Sequence, residues 1–230
     1  MRRHGFNVIE LSVVVVVVFL AMTVFFHVYN VGIGRAVTAS AAARGRDVFA
    51  ALSSARSSAV AARALSEAAS MSSNSTAFFG RLIESGAFGE LTYGDLVTGG
   101  MPTGSRGALS ASNNMWSVAV NVRDDLPESL PLLVTRNVDL SVCRPRLAIR
   151  DLRRPVTLDP LQPMPWDDRW FLCIRRNGAL YVGRRPVSTL VRLFGRTPYD
   201  PAVDRAGQAV KRPLTYLTPL SSLVPGGVVE

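Results

Sequence analysis

The chain has 230 residues, 48% hydrophobic, with a formal net charge of +9, room for one membrane-length helix and one modest globular domain. Two cysteines and two histidines, with no CxxC or Cys/His cluster among them, argue against a zinc site. No nucleophile elbow, P-loop, GxGxxG or HExxH is present, so an enzyme is not expected.

Reading begins at MRRHGFNVIELSVVVVVVFLAMTVFF. A basic stub (Arg2, Arg3, His4) leads to Gly5 and Phe6, and Glu10 is the one carboxylate of the segment. From Leu11 to Phe26 there is no charge, only the hydroxyls of Ser12 and Thr23. Counted from Phe6, the run reaches the length of about 20 residues that spans a bilayer, and Arg2 and Arg3 would hold its start in the cytoplasm. A secretory signal would place a small-residue cleavage site directly behind roughly 7–15 apolar residues. The Ala39-Ser40-Ala41 stretch lies well past Phe26. An acid deep in a bilayer is disfavoured by on the order of 2.5–3.5 kcal/mol, less near the end of a span. A plain single-span anchor leaves Glu10 without a purpose.

The string Gly-Phe-Asn-Val-Ile-Glu-Leu at Gly5–Leu11 resembles the N-terminus of type IV pilins and type II secretion pseudopilins. The family pattern is a short basic leader, a Gly before the cleavage point, a Phe after it, and a Glu at the fifth mature position. The resemblance implies cleavage between Gly5 and Phe6 by a prepilin peptidase and N-methylation of Phe6. It also implies that Glu10 neutralises the terminal charge of a neighbouring subunit as helices stack in a fibre. The implied partners are other pilin-like subunits and an inner-membrane assembly machinery. The implied location is the bacterial inner membrane with a periplasmic domain, then a periplasmic or cell-surface fibre. The match covers about a tenth of the chain. Asn113–Asn137 also resembles, more loosely, the C-terminal domains of pilin-like proteins.

Beyond Asn30, Val37, Ala41, Val48, Leu52, Ala59 and Val60 recur at helical spacing, with Arg35, Arg46, Arg56 and Arg63 on a polar side. One helix is expected from about Phe6 to the mid-60s, its first half in a membrane or fibre core and its second half on the domain. Gly32 and Gly34 weaken it by about 1 kcal/mol each relative to Ala; they mark either a hinge or a close helix contact. The polar cluster Met71–Thr76 predicts a hydroxyl-started second helix, Ala77–Gly86, with a Gly stop. Ala87–Asn114 is expected to be a loop-rich connection with at most a short strand.

From Trp116 the chain reads as β: Trp116–Val122, Leu132–Thr135, Val138–Val142, and Trp170–Arg176 joined by Asn177-Gly178 to Ala179–Val182. Asn-Gly between such runs predicts a hairpin with positive φ at both turn positions. Pro155, Pro160, Pro163 and Pro165 keep the intervening stretch out of a central strand. Ser188–Gly195 predicts a short capped helix, and from Thr197 an irregular tail is expected.

Cys143 and Cys173 lie in strand-like runs and form either a disulfide or two buried thiols. Lys211 is the single lysine. The arginines are spread out, with small clusters at Arg144–Arg154 and Arg175–Arg185, which read as solvated faces rather than a nucleic-acid surface. Without Arg2 and Arg3 the charge of +9 becomes +7, still basic. Asp124, Asp125, Glu128 and Asp139 match no EF-hand spacing, so calcium, which some pseudopilins bind, is not favoured, and no cofactor is expected.

The expected architecture is α+β, a long N-terminal helix on a small antiparallel sheet as in pilins. Its parts are a leader at 1–5, an apolar helix half at 6–34, an amphipathic half at 35–70 and a globular region at 71–230. The functional expectation is a fibre subunit of a type IV pilus or type II secretion pseudopilus. The alternative is a non-polymerising anchored domain that binds polyanions or surface polymers.

Overall fold

The computed structural model describes residues 8–89, 91–97, 109–140, 155–157, 164, 170–184, 188–194, 214–220 and 222–223. The chain forms two compact units, Met1–Ala39 and Ser40–Glu230. The architecture is α+β, as expected: a long N-terminal helix whose later part packs on an antiparallel sheet.

Helix α1 runs from Val8 to Ser54, 47 residues. It does not continue into the 60s as the spacing of apolar residues suggested. A 3₁₀ turn at Ala55–Ser57 and an extended Ser58 end it, and α2 restarts at Ala59 and runs to Met71. The cause is local. Ser54 and Ser57 donate their hydroxyls to the carbonyls of Ala51 and Ser54, competing with the helical ladder. Ser58 then accepts from Ala61 N at 3.4 Å as the N-cap of α2.

The second helix forms where expected, as α3, Ser75–Glu84, capped by Asn74 accepting from Ala77 N at 2.8 Å, with Gly86 at φ +64° behind it. The connection that follows contains one short helix, α4, Tyr93–Leu96, where the Asp95 carboxylate accepts from Thr92 N and Thr92 Oγ1.

The strands are β1 (Trp116–Val120), β2 (Pro131–Thr135), β3 (Trp170–Arg175), β4 (Leu180–Arg184), β5 (Thr215–Leu217) and β6 (Ser222–Leu223). They form one sheet in the order β4-β3-β2-β1-β5-β6, every pair antiparallel. At the centre of the sheet both faces are covered, and β1 and β2 are buried along their whole length. On one face Trp116, Val118, Leu133, Leu172 and Ile174 meet the buried side of Ser40–Ser54 together with α2 and α3. On the other, Val134, Phe171, Cys173 and Tyr216 pack on Leu126, Leu130, Val138 and helix α5, Leu190–Phe194.

Gly45 sets the distance between helix and sheet. A Cβ there would lie 2.7 Å from the Trp116 ring and 2.8 Å from Ile174. A buried polar knot joins α3 to the sheet: Asn114 Nδ2 donates to Ser75 Oγ, and Ser75 Oγ donates to Trp116 O. Ser75 N in turn donates to Thr218 O.

Three β expectations need correction. The β3–β4 hairpin forms, but only Gly178 of the Asn-Gly pair has positive φ, at +80°. Gly178 N donates to Arg175 O and Arg175 N to Ala179 O. The loop is thus a turn followed by a left-handed glycine, not the two-residue form. Of the run Val138–Val142 the described part is no continuous strand: after the turn at Arg136-Asn137, Val138 forms a single β-bridge, Asp139 N donates to Thr157 O, Leu140 is in a 3₁₀ turn, and both apolar side chains reach the second core. Residues 141–142 lie outside the described residues. The C-terminal region is not wholly irregular, because β5 pairs with β1 at Ala119–Tyr216. At three residues, β5 is too short to show a period-2 signal. The short helix α5 forms within Ser188–Gly195, yet Ser188 Oγ serves β4, accepting from Arg184 N at 2.9 Å.

Candidate functional site

The first candidate is the apolar part of α1 within the first unit. The stretch from Val8 to Phe26 would extend about 28 Å as a helix, close to the roughly 30 Å of a bilayer core. Val13, Val14, Val15 and Val16 occupy a full helical turn and are 57%, 50%, 59% and 57% exposed. No side of this helix is buried, and the helix is long and apolar enough to cross a membrane. Its two hydroxyls are satisfied within the helix: Ser12 Oγ donates to Val8 O and Thr23 Oγ1 to Phe19 O, both at 2.8 Å. Such back-bonding removes the need for water, which hydrocarbon cannot supply. At the far end the rings of Phe25 and Tyr29 stack at 6.0 Å, where the run gives way to His27, Tyr29 and Asn30. Aromatics of this kind concentrate at membrane–water interfaces.

Glu10 lies in the first turn of α1 and is exposed. An acid there faces the partial positive charge of the helix N-terminus. Gly5 and Phe6 lie outside the described residues.

Within the second unit the helix changes character. Ala41, Ala42, Gly45, Val48, Ala51 and Leu52 are buried, a stripe at spacings of three and four. The Ala39–Ala41 stretch is helical, and Ala41 is fully buried.

The other sequence candidates do not gather into one site. Arg176 turns inward, with Nη1 donating to the carbonyls of Asp124 and Leu126 and Nη2 to Asp124 Oδ1. Arg175 donates to Arg192 O and lies over the Tyr181 ring, while Arg184 lies over Trp170. In the β3–β4 register Tyr181 pairs with Cys173 and Arg184 with Trp170. Strand alternation therefore sends these two stacks to opposite faces, and the cluster is not one basic patch. Asp124 and Asp125 pair with Arg176 and Arg123. Among the described residues no group of three or more His, Cys, Asp or Glu could hold a metal ion.

Cys173 is a fully buried free thiol in β3. Burial pushes its pKa up to about 12, with the Arg175 charge pulling weakly the other way. Cys143 lies outside the described residues.

One feature had no sequence signal. The break between α1 and α2 leaves a cleft of about 210 Å³ against β1. Leu52, Ser53, Ala62, Leu65, Ala69 and Arg176 are among its lining residues, while Val118 of β1 and Phe78 of α3 beside it are almost wholly buried.

Compared with known proteins, the chain matches no family model, no curated protein and no solved structure.

Proposed function

We propose that the protein is a pilin-like structural subunit, cut between Gly5 and Phe6 by a prepilin peptidase and methylated on Phe6. It waits in the bacterial inner membrane with its globular domain in the periplasm, then joins a type IV pilus or type II secretion pseudopilus. The observation that supports this most is the pairing of Glu10 with a helix that is apolar all round. A surface of that kind is stable only in lipid or against like helices. Lipid alone accounts for the valines but not for an acid that helix insertion disfavours. A neighbouring subunit's positive terminus accounts for both: apolar burial gives the fibre cohesion, and the Glu10 carboxylate sets axial register by pairing with that terminus.

The test is the intact mass and first residue of the protein taken from its native membrane, followed by the same measurement on Glu10→Ala. The reading expects a mature chain starting at methylated Phe6 in both, with sheared fibres lost in the variant. Normal fibres from Glu10→Ala would refute the pairing role. A chain retaining Met1 would favour the anchored, non-polymerising domain. A chain beginning after Ala41 would mean a cleaved signal and overturn the reading.

A further inference from the structure

Past its apolar run, the first unit carries a single arginine with nothing to hold it. Arg35 is exposed, and among the described residues no carboxylate or carbonyl accepts from its guanidinium. Its own helix supplies no counter-ion. Between Glu10 and Asp47 the sequence holds no acid, and the positions one turn away are Val31, Gly32, Thr38 and Ala39. The Thr38 hydroxyl is spent on Gly34 O, to which it donates at 2.7 Å.

Position assigns the partner. Helix α1 continues unbroken through Gly32 and Gly34, so Arg35 lies about 9 Å along the axis beyond Tyr29. The Phe25–Tyr29 stack is of the kind that collects at a membrane surface, and a headgroup layer is about 5–8 Å deep on each side. Helical side chains lean toward the N-terminus, which for Arg35 is back toward the membrane. Val28 and Val31 precede it on the same side of the helix and are 63% and 42% exposed. They give its methylene stem an apolar path, along which an arginine keeps its charged head in the polar layer. The guanidinium thus arrives at the depth of the lipid phosphates, and its planar fork fits a phosphate through two parallel hydrogen bonds. We propose that Arg35 binds the phosphate of an anionic phospholipid where α1 leaves the membrane, and so fixes the depth of the helix. The proposal rests on the membrane-crossing part of the reading above and not on cleavage or fibre assembly.

The experiment places the full chain in nanodiscs of phosphatidylglycerol and phosphatidylcholine in equal parts and counts, by native mass spectrometry, the lipids that stay on the released protein. The unaltered chain should hold phosphatidylglycerol in preference. Arg35→Gln should lower that preference about fivefold, the effect of one arginine at an anionic surface. Arg63→Gln, which removes an exposed arginine of α2, should leave it unchanged. A preference untouched by Arg35→Gln overturns the site, and an equal loss from Arg63→Gln overturns it too, since the attraction would then belong to the basic chain as a whole. Loss of the preference in excess inorganic phosphate would make the ligand a soluble anion and overturn the lipid. A chain that does not enter the discs overturns the membrane reading and this proposal with it, whereas a chain that enters and shows no preference overturns the proposal alone.

Discussion

The two parts of α1 show how one helix is built for two surroundings. Up to Phe26 it carries Val, Leu, Ile and Phe in every direction, and these side chains are exposed. From Ser40 to Ser54 it carries mostly small residues, and those on one side are buried against the sheet. Large apolar groups are useful where the neighbour is fluid lipid or another helix that can adjust its position. Small ones are required where the neighbour is a fixed Trp116 ring that a single Cβ on Gly45 would strike. The same backbone conformation thus carries opposite side-chain choices in its two parts.

Substitutions can break that contrast. The largest effect is expected at the centre of the apolar run, where Val16→Arg should cost about 2.5–3.5 kcal/mol in membrane insertion. Carbonate extraction should then find the protein in the soluble fraction; retention in the membrane would argue that another segment holds it there.

The same change at two glycines sharpens the comparison. Gly45→Ala drives a Cβ into Trp116 and Ile174 and should destabilise the globular part by about 1–3 kcal/mol, as overpacking does, despite the better helix propensity of Ala. Urea unfolding followed by tryptophan fluorescence reads this. Gly34→Ala meets nothing within 4 Å, so the urea midpoint should stay put. Its helix should gain about 1 kcal/mol locally, seen as amide exchange slowed by about fivefold. If Gly34→Ala loosened the helix instead, the glycine would be serving a hinge.

Cys173 gives a pH test within the globular unit. Its folded thiol is held up at about 12 against an ordinary value of 9.0. Above pH 9 the unfolded chain sheds this proton while the folded chain keeps it, so unfolding becomes easier as pH rises. The contribution is complete below pH 9 and declines by about 1.4 kcal/mol per unit towards pH 12. Comparing wild type with Cys173→Ala between pH 9 and 11 isolates it from the tyrosines, and only the wild type should show this extra slope. Identical slopes would mean that burial does not raise this thiol.

What could be read from the sequence follows the range of the causes. The apolar run needs only local composition, and the β3–β4 hairpin needs only two β-rich stretches and a turn pair; both were legible. Asn74 and Gly86 mark the ends of α3 through bonds to their own neighbours. The break at Ala55–Ser58 was hidden because serines on a polar helix face look like those that end a helix. Strand β5 was hidden because Thr215–Leu217 is short and its pairing with β1 is wholly non-local. The role of Gly45 is hidden for the same reason, since it depends on Trp116. The cleft is a space left between elements, and no residue type announces a space. Of the candidate site, the apolar helix and Glu10 were legible and the arginine arrangement was not, because spacing along the chain does not tell which face each guanidinium reaches.

The place of β5 in the sheet has a kinetic consequence. Strand β1 lies between β2 and β5, so one of its two hydrogen-bonding edges is supplied by residues near the other end of the chain. A chain that appears N-terminus first can fold its helices early, but it must leave Trp116–Val120 with an open edge until Thr215–Leu217 arrives. Pairings so far apart in sequence form slowly, and an apolar strand with an open edge invites pairing with other molecules. The interval between emergence of β1 and arrival of β5 is the period in which this protein is most exposed to aggregation, and truncations that remove only its last strands should extend that period indefinitely.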